Sequence, residues 1–343
     1  MIKITNIPSL VEATYGGLEL LSHDLLNGLK IKNDKQWFII GELAKNNGIN
    51  PQKIINATPE DRDYQLLFKA AMLAVHDKVR QPLHLTLGLP FSNYRIYRKQ
   101  LAEFLDRRHF SVEYTTETYK PEGTVEKFNF EIDKYHIISE LEAGVIGIRN
   151  LYPKSQSQNF MILSLGYGTV EGGVATRDGL LERTCFSTHG LRYAVGNLQK
   201  ELNKNYYLEL KNEFQINDSL VKGSIISKRK KIDLTDFRRE VLTQYYKQVI
   251  SPAIRNNITD RDFESCECIY IVGGGINFVD LRNAFSEEFK DVMRVEPPSE
   301  ESQNIASIGY LLNSLQHGGP EVRKNCVGLD LGNSSTIISY FED

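Results

Sequence analysis

The sequence predicts an α/β protein of two domains, each with a mixed β-sheet flanked by helices. Its length of 343 residues suits two domains of ordinary size. Between residues 60 and 80 apolar side chains recur three and four positions apart, as in a helix, whereas residues 83–89 are typical of a buried strand. Groups of short strands followed by helices occur twice along the chain, and this repetition indicates two α/β domains.

A linker between the domains is predicted at residues 152–159, which are polar and contain a proline. We expect the second domain to comprise residues 159–300. The first domain then comprises residues 1–158 together with 301–343, because the last of these segments ends in a strand pair that the first domain otherwise lacks.

The composition excludes several classes of protein. Hydrophobic residues make up 41% of the chain and charged residues 25%, which is typical of a soluble globular protein. The net charge of −3 gives no general reason to expect nucleic-acid or membrane binding. We find no apolar run of membrane-spanning length and no signal peptide, and four cysteines without a framework spacing favour a reducing compartment. We therefore expect a cytoplasmic protein without direct membrane binding.

The most informative stretch is residues 327–338, V-G-L-D-L-G-N-S-S-T-I-I. Two apolar runs flank Gly332-Asn333-Ser334-Ser335, which predicts a strand, a tight turn and a strand, with Gly and Asn where a hairpin needs positive φ. Small residues in such a turn leave backbone N–H groups exposed as an anion-binding nest. Asp330 ends the first strand and is predicted to face this nest, an arrangement that suits a phosphate with Mg²⁺.

A second hairpin of the same kind is predicted around Gly166-Tyr167-Gly168-Thr169, between predicted strands at 160–165 and 170–176. Two copies of one hairpin in two halves of the chain suggest an internal duplication. A third glycine-rich turn, Gly273-Gly274-Gly275, follows the apolar run 269–272. Glycine lets a backbone approach a ligand closely because no Cβ intervenes.

These three motifs resemble those of the actin-like ATPases. The sequence D-L-G-N-S-S at 330–335 resembles the first phosphate motif, L-G-Y-G-T at 165–169 the second, and I-V-G-G-G at 271–275 the adenosine motif. The resemblance implies a two-domain actin-like (ribonuclease-H-like) ATPase fold that holds ATP or ADP with Mg²⁺ in the cleft between its domains. It also implies that Asp330 holds the metal through water.

The stretch E-L-E-A-G-V-I-G at 140–147 resembles the first connecting helix of the same superfamily. The leading acid of that helix lies near the attacking water, which implies a catalytic role for Glu140. An alternative stays open, in which Glu140 and Glu142 are only charges at a helix N-terminus that the helix dipole stabilises.

Softer motifs, among them Ile7-Pro8-Ser9, Gly41–Lys45 and Gly88-Leu89-Pro90, resemble the plasmid-segregation actins of the ParM/StbA type and their archaeal relatives. The order of the motifs departs from the family. The family runs from the first phosphate loop to the Pro-Ser segment, whereas this chain starts at that segment and finishes with the loop. The resemblance therefore implies a circular permutation that joins the usual ends through residues 316–324. The alternative is a chance match of the terminal motif.

A second departure concerns Ser164, which stands where the family usually has the aspartate of its second phosphate loop. That aspartate helps to order the metal shell and the attacking water, so its loss predicts slow ATP hydrolysis. Glu171, seven residues further along, is not an obvious replacement. Tyr167 occupies a position where glycine is common, and we expect its side chain to face solvent.

The resemblance implies a homopolymer. In polymerising members, closure of two lobes on ATP controls contacts between subunits, and such head-to-tail contacts generate helical filaments. We expect a cytoskeletal filament, or one that moves plasmid DNA through an adaptor protein bound to centromere-like DNA. A small-molecule kinase and a non-polymerising ATP-dependent scaffold of the same superfamily are the alternatives. The basic run Lys228-Arg229-Lys230-Lys231 is typical of solvated surface.

Overall fold

The computed structural model describes residues 1–53, 58–206, 212–297, 299 and 301–342. The strands are β1 (Ile2–Pro8), β2 (Leu10–Thr14), β3 (Lys30–Asn33), β4 (Gln36–Ile40), β5 (Gln52–Lys53), β6 (Leu83–Leu89), β7 (His109–Thr115), β8 (Val125–Ser139), β9 (Phe160–Leu165), β10 (Thr169–Thr176), β11 (Gly179–Leu180), β12 (Phe186–His189), β13 (Ser224–Ser227), β14 (Lys230–Asp233), β15 (Cys268–Val272), β16 (Arg294–Val295), β17 (Cys326–Leu331) and β18 (Ser335–Phe341).

The helices are α1 (Glu42–Asn47), α2 (Arg62–Ala74), α3 (Phe91–Leu105), α4 (Glu140–Leu151), α5 (Arg192–Tyr206), α6 (Glu213–Lys222), α7 (Thr235–Tyr245), α8 (Ser251–Asn257), α9 (Asp260–Glu264), α10 (Val279–Phe289) and α11 (Ile305–Gly318). A π-helical turn, Tyr246–Ile250, joins α7 to α8. Within the described ranges, no helix combines the length and the apolar character needed to cross a membrane.

The chain divides into two units, each built around its own mixed sheet. The first unit comprises Met1–Leu89, Asn93–Gly147 and Ala306–Asp343. The second comprises Pro90–Ser92 and Ile148–Ile305. The expected two-domain α/β fold with mixed sheets is therefore confirmed.

The sheet of the first unit has the strand order β1-β18-β17-β6-β8-β7-β3-β4-β2-β5. Strand β17 pairs in parallel with β6 and antiparallel with β18, and β6 pairs in parallel with β8. Residues 326–329 of β17 are buried because the strand lies inside the sheet. The sequence prediction that residues 327–331 join the sheet of the N-terminal part of the chain is confirmed.

Close packing in the first unit explains two sequence patterns. The apolar residues of α2, such as Leu66 and Phe68, are buried in the core, as their spacing predicts. Gly328 of β17 lies against the main chain of α11, where a Cβ atom would overlap Ser307 O and Leu311 N. A glycine is therefore required where this helix crosses the strand.

The sheet of the second unit has the order β11-β10-β9-β15-β16, and β12 also pairs with β10. Strands β9, β10 and β15 are almost wholly buried, which agrees with the predominantly apolar sequences of β9 and β15. Helices α5, α7 and α10 contribute buried side chains to the same core, among them Leu198, Leu242 and Phe285.

The two units share one arrangement of four strands. In the second unit, β15 pairs in parallel with β9, β9 antiparallel with β10, and β10 antiparallel with β12. In the first unit, β6 pairs in parallel with β17, β17 antiparallel with β18, and β18 antiparallel with β1. The chain visits these four strands in the order β9, β10, β12, β15 in one unit and β1, β6, β17, β18 in the other.

Candidate functional site

Four residues, 332–335, lie between the last paired positions of the β17–β18 hairpin. Leu331 and Thr336 are the last paired residues of the hairpin, and the Gly332 N–H donates to the Ser335 carbonyl at 3.0 Å. A Cβ on Gly332 would lie 2.8 Å from that oxygen, so close approach requires glycine here. The expectation of positive φ at Gly332 and Asn333 is wrong, because this loop is wider than the two-residue turn that needs it.

Two residues that the sequence prediction missed hold this loop. Ser9 is fully buried, its hydroxyl donates to the Gly332 carbonyl at 2.6 Å, and its N–H donates to the Ser334 carbonyl at 3.0 Å. The Lys53 ammonium donates to the Ser334 hydroxyl at 3.1 Å, which brings a positive charge to the loop. Ser9 belongs to a motif noted only as a family resemblance, and nothing in the sequence singles out Lys53.

Asp330 and Glu140 form an acidic pair in the first unit. The pKa of Asp330 is raised to about 8, first by burial and then by the negative charge of Glu140. Glu140 begins α4, and the Ser139 hydroxyl accepts the Glu142 N–H at 3.2 Å at that helix start. The predicted metal-binding and catalytic acids are therefore neighbours.

Carboxylate oxygens suit Mg²⁺, which usually keeps several waters and is held by one or two carboxylates together with substrate phosphates. Among the described residues, no group of three or more His, Cys, Asp or Glu side chains could hold a metal alone. Asp330 and Glu140 therefore fit a metal that arrives with a phosphate ligand, and a cation there would relieve the repulsion between the two carboxylates.

The loop between β9 and β10 has the geometry of the first loop. Leu165 and Val170 are the last paired residues before it, and the Gly166 N–H donates to the Thr169 carbonyl at 3.0 Å. A Cβ on Gly166 would lie 2.8 Å from that oxygen, the same value as at Gly332. The two predicted phosphate loops are therefore copies of one structure, as the sequence duplication suggests.

The main chain at 190–192 orients this second loop. The N–H groups of Gly190, Leu191 and Arg192 donate to the carbonyls of residues 168, 166 and 167 at 2.9–3.1 Å. In a trans peptide the N–H points opposite to the carbonyl, so the N–H groups of residues 167–169 point away from residues 190–192. Successive N–H groups on one side of a turn form an anion-binding nest.

Gly190 is a further residue that the sequence prediction missed. A Cβ at this position would lie 2.5 Å from the Tyr167 carbonyl oxygen and 2.6 Å from the Gly168 carbonyl carbon. Only glycine therefore allows this segment to reach the loop carbonyls. The sequence signal, a glycine directly after strand β12, resembles an ordinary turn.

Tyr167 does not face solvent, so that expectation is wrong. Its side chain is only 7% exposed and packs in the core of the second unit. Its hydroxyl donates to Glu213 Oε1 at 2.7 Å, and Arg192 Nε donates to the same oxygen at 2.9 Å. Burial and the Glu213 charge raise the pKa of the Tyr167 phenol. Only the backbone of Tyr167 remains for a phosphate.

Ser164 and Glu171 are cross-strand partners, a relationship that the sequence pattern did not predict. Their pairing in β9 and β10 places both side chains on one face of the sheet. Glu171 is 1% exposed, and its Oε2 accepts the Phe91 N–H at 2.8 Å. A carboxylate therefore lies beside Ser164, although on the other strand.

The Gly273–Gly275 turn lies beside the second loop. Gly273 has φ 85°, and a Cβ there would lie 2.8 Å from the Leu165 carbonyl oxygen. A Cβ on Gly275 would lie 2.7 Å from the Leu165 Cβ. The structure thus brings the predicted adenosine motif to the strand end that precedes Gly166. These residues belong to the second unit, whereas Asp330, Glu140 and 332–335 belong to the first.

Comparison with known proteins agrees with this geometry. Residues 2–140 match the family "Actin like proteins N terminal domain". No curated protein is significantly similar to the chain.

Several solved structures share the fold. A 15-stranded ParM filament from Clostridium botulinum is 16% identical, with 90% of this chain and 92% of that chain covered and a TM-score of 0.73. The archaeal actin homologue Ta0583 in complex with ADP is 18% identical, with 89% and 90% covered and a TM-score of 0.63. Actin-like protein Alp7A is 14% identical, with 91% of each chain covered and a TM-score of 0.62. The chain therefore has the two-domain actin-like fold.

Proposed function

We propose that the chain binds ATP with Mg²⁺, hydrolyses it slowly and polymerises with itself into filaments. The observation that carries the proposal is the pair of identical hairpin loops, one in each unit, each closed by the same 3.0 Å main-chain bond. An actin-like relative is known in complex with ADP and another as a filament, which supports both halves of the proposal.

For nucleotide binding, the loops Gly332-Asn333-Ser334-Ser335 and Gly166-Tyr167-Gly168-Thr169 bind phosphate oxygens through the backbone N–H groups of their last three residues, while the Gly332 and Gly166 N–H groups close the loops. Lys53 adds a positive charge at the first loop, which favours a polyphosphate over a neutral ligand. Gly273, Gly274 and Gly275 receive the adenosine, since glycines let the backbone approach a ring closely.

For hydrolysis, Asp330 orients a water ligand of the metal, and Glu140 accepts a proton from the attacking water. The metal neutralises charge on the phosphates when bound. Ser164 brings no charge to the second loop, whereas a carboxylate there would orient water. Glu171 supplies the only acidic group that the β9–β10 pairing places beside Ser164. We therefore expect slow turnover and filaments that persist.

For assembly, we propose a cytoplasmic filament of the cytoskeletal or plasmid-segregating kind, in which an adaptor protein connects the polymer to centromere-like DNA. Contacts between copies would be head-to-tail, because a contact of this type does not close and so generates a filament. The likeness to a ParM filament supports this assignment.

We also propose that the chain is a circular permutation of the usual actin order. The four strands shared by the two units support this. The counterparts of β9, β10, β12 and β15 are β17, β18, β1 and β6, respectively. Along the chain, the third and fourth of these counterparts, β1 and β6, come before the first and second, β17 and β18. Pairing of Ile2 with Phe341 places the end of β18 beside the start of β1.

The nucleotide proposal is tested with a fluorescent ATP analogue, titrated with and without Mg²⁺. We expect Mg²⁺ to increase the affinity of the wild type for the analogue at least tenfold. We expect Asp330→Ala to lose this increase. Asp291→Ala, which removes an exposed carboxylate of the second unit, is the control and keeps it. Unchanged Mg²⁺-dependent binding in Asp330→Ala removes the metal assignment, and absence of binding by the wild type rejects the proposal.

A further inference from the structure

The turn between β13 and β14 has a backbone conformation that its residue types do not favour. Ser227 pairs with Lys230, so Lys228 and Arg229 are the two turn residues, with φ of 49° and 65°. Positive φ at both positions defines the type I′ turn, which strongly favours Asn-Gly. Two long cationic side chains occupy a backbone conformation that L-residues adopt only with strain. Strain of this kind is retained where the side chains serve a function.

Among the described residues, no salt bridge neutralises the charge at this tip. Lys228, Arg229, Lys230 and Lys231 are all exposed, and no carboxylate in the described part of the chain lies within ion-pair distance of them. The nearest acid along the hairpin, Asp233, is engaged at the start of α7, where it accepts the Thr235 N–H at 2.9 Å. Four adjacent cationic residues thus form a local positive patch, although the net charge of the whole chain is −3.

Contacts with the second unit hold the base of the β13–β14 hairpin. Ile225 and Ile232 are paired and pack against the core of the second unit. Gly223 caps α6 in a left-handed conformation, and its carbonyl accepts the Leu234 N–H at 2.8 Å. The tip and the outer face, which carries Ile226 at 76% exposure, are presented to solvent.

The cations point in more than one direction. Side chains alternate along a strand, so Lys230 lies on the Ile225 face and Lys231 on the Ile226 face, while Lys228 and Arg229 occupy the end. An acidic peptide that docks on one face would need cations on that face only. A ribbon inside the major groove of duplex DNA has a phosphate backbone on each side, and that groove admits a two-stranded β-ribbon.

We propose that the β13–β14 hairpin binds duplex DNA directly, through phosphate contacts that do not depend on base sequence. This goes beyond the proposed filament function, in which DNA is reached through an adaptor, and it does not require ATP or polymerisation. Phosphate contacts of Lys and Arg release counterions, so the binding is strongly salt-dependent.

The test uses the full chain without nucleotide, shown to be monomeric by sedimentation velocity, and a fluorescein-labelled duplex of mixed sequence followed by anisotropy. The key variant is Lys228→Asn with Arg229→Gly, which removes two charges and installs the pair that the turn favours. We expect its affinity for the duplex to fall at least tenfold and its log–log salt slope to decrease by about two. Its melting temperature should equal or exceed that of the wild type.

The matched control is Lys35→Gln with Lys127→Gln, which removes two exposed cations of the first unit and should leave binding unchanged. The proposal is overturned if the wild type does not bind the duplex at low salt, or if the control loses as much affinity as the tip variant. Tighter binding to poly-glutamate than to the duplex also overturns it, because the hairpin would then be a site for an acidic protein segment.

Discussion

Ser164 and Glu171 lie opposite each other in the antiparallel β9–β10 pair, and both side chains are buried, at 4% and 1% exposure. The first hairpin has Asp330 at the position equivalent to Ser164, opposite Ile337. Each hairpin thus carries one acid at this cross-strand pair of positions. Asp330 lies on the first strand of its hairpin, whereas Glu171 lies on the second strand of the other hairpin. This exchange is the basis of our expectation for hydrolysis.

We expect Glu171→Gln to slow ATP hydrolysis at least tenfold, because an oriented carboxylate contributes several kcal/mol to such a transition state. We expect Ser164→Asp to raise the rate, since it restores the acid that the family carries on β9. Phosphate release under saturating ATP measures both, and Glu267→Gln, an exposed acid of the same unit, is the control. Rapid turnover by the wild type that neither substitution changes would show that another residue supplies the function.

Gly190→Ala should abolish ATP binding while leaving the protein folded. A methyl group at residue 190 would displace the main chain of Tyr167 and Gly168, whose contacts with residues 190–192 orient the loop. Gly196→Ala is the matched control, because a Cβ at that helical position meets no atom within 4 Å. Titration with a fluorescent ATP analogue compares the two variants. Equal affinity in Gly190→Ala and the wild type would mean that residues 190–192 do not shape the nucleotide site.

Much of the fold follows from local sequence pattern. The apolar spacing of α2 and the high apolar content of β6, β9 and β17 indicate burial directly, so these elements can be predicted from the sequence alone. The glycine loops are predicted too, because a cluster of small residues directly after an apolar run is typical of a turn. The φ values of the loop residues could not be predicted, because the number of residues in the loop depends on where strand pairing stops.

Contacts between distant segments could not be predicted. Lys53 and Ser334 are 281 positions apart, and only the sheet topology brings them together. The position of Glu171 opposite Ser164 could not be predicted either, because their distance along the chain conceals their register in the hairpin. Tyr167 was expected in solvent because the position of its partner, Glu213, depends on how α6 packs.

Gly328→Ala should destabilise the first unit by about 3 kcal/mol, a typical cost of overpacking a tight contact. The added methyl group would overlap the α11 main chain at Ser307 and Leu311. Gly17→Ala, where a Cβ meets nothing within 4 Å, should change stability by no more than about 0.5 kcal/mol. Urea unfolding of both variants measures the difference. Equal stability of the two would show that β17 does not pack against α11 in this way.

Stability should fall as the pH drops through the range in which histidine titrates. The His136 ring stacks on His317 with centroids 4.1 Å apart, and the pKa of His136 is lowered first by burial and then by the charges of His317, His84 and Lys134. An unfolded histidine has a pKa of about 6.5. Below that pH the unfolded chain binds a proton that the folded state resists, so stability present above pH 6.5 is lost as the pH falls.

Urea unfolding at about pH 7.5 and about pH 5.5 tests this effect in wild type and His136→Gln. The free energy of unfolding should decrease less between the two pH values in the variant. His109→Gln, which replaces an exposed histidine, should behave like the wild type. An identical pH dependence in all three proteins would show that His136 is not responsible.

The most direct test of the central claim is high-speed sedimentation of the purified chain with Mg-ATP, with Mg-ADP and without nucleotide, followed by negative-stain microscopy of the pellets. The proposed function predicts that protein pellets as filaments with Mg-ATP, stays in the supernatant without nucleotide, and does not pellet with Mg-ATP when Asp330 is replaced by Ala. Protein that stays in the supernatant under all three conditions, at concentrations where the ATP analogue binds, would contradict the account of an ATP-dependent filament.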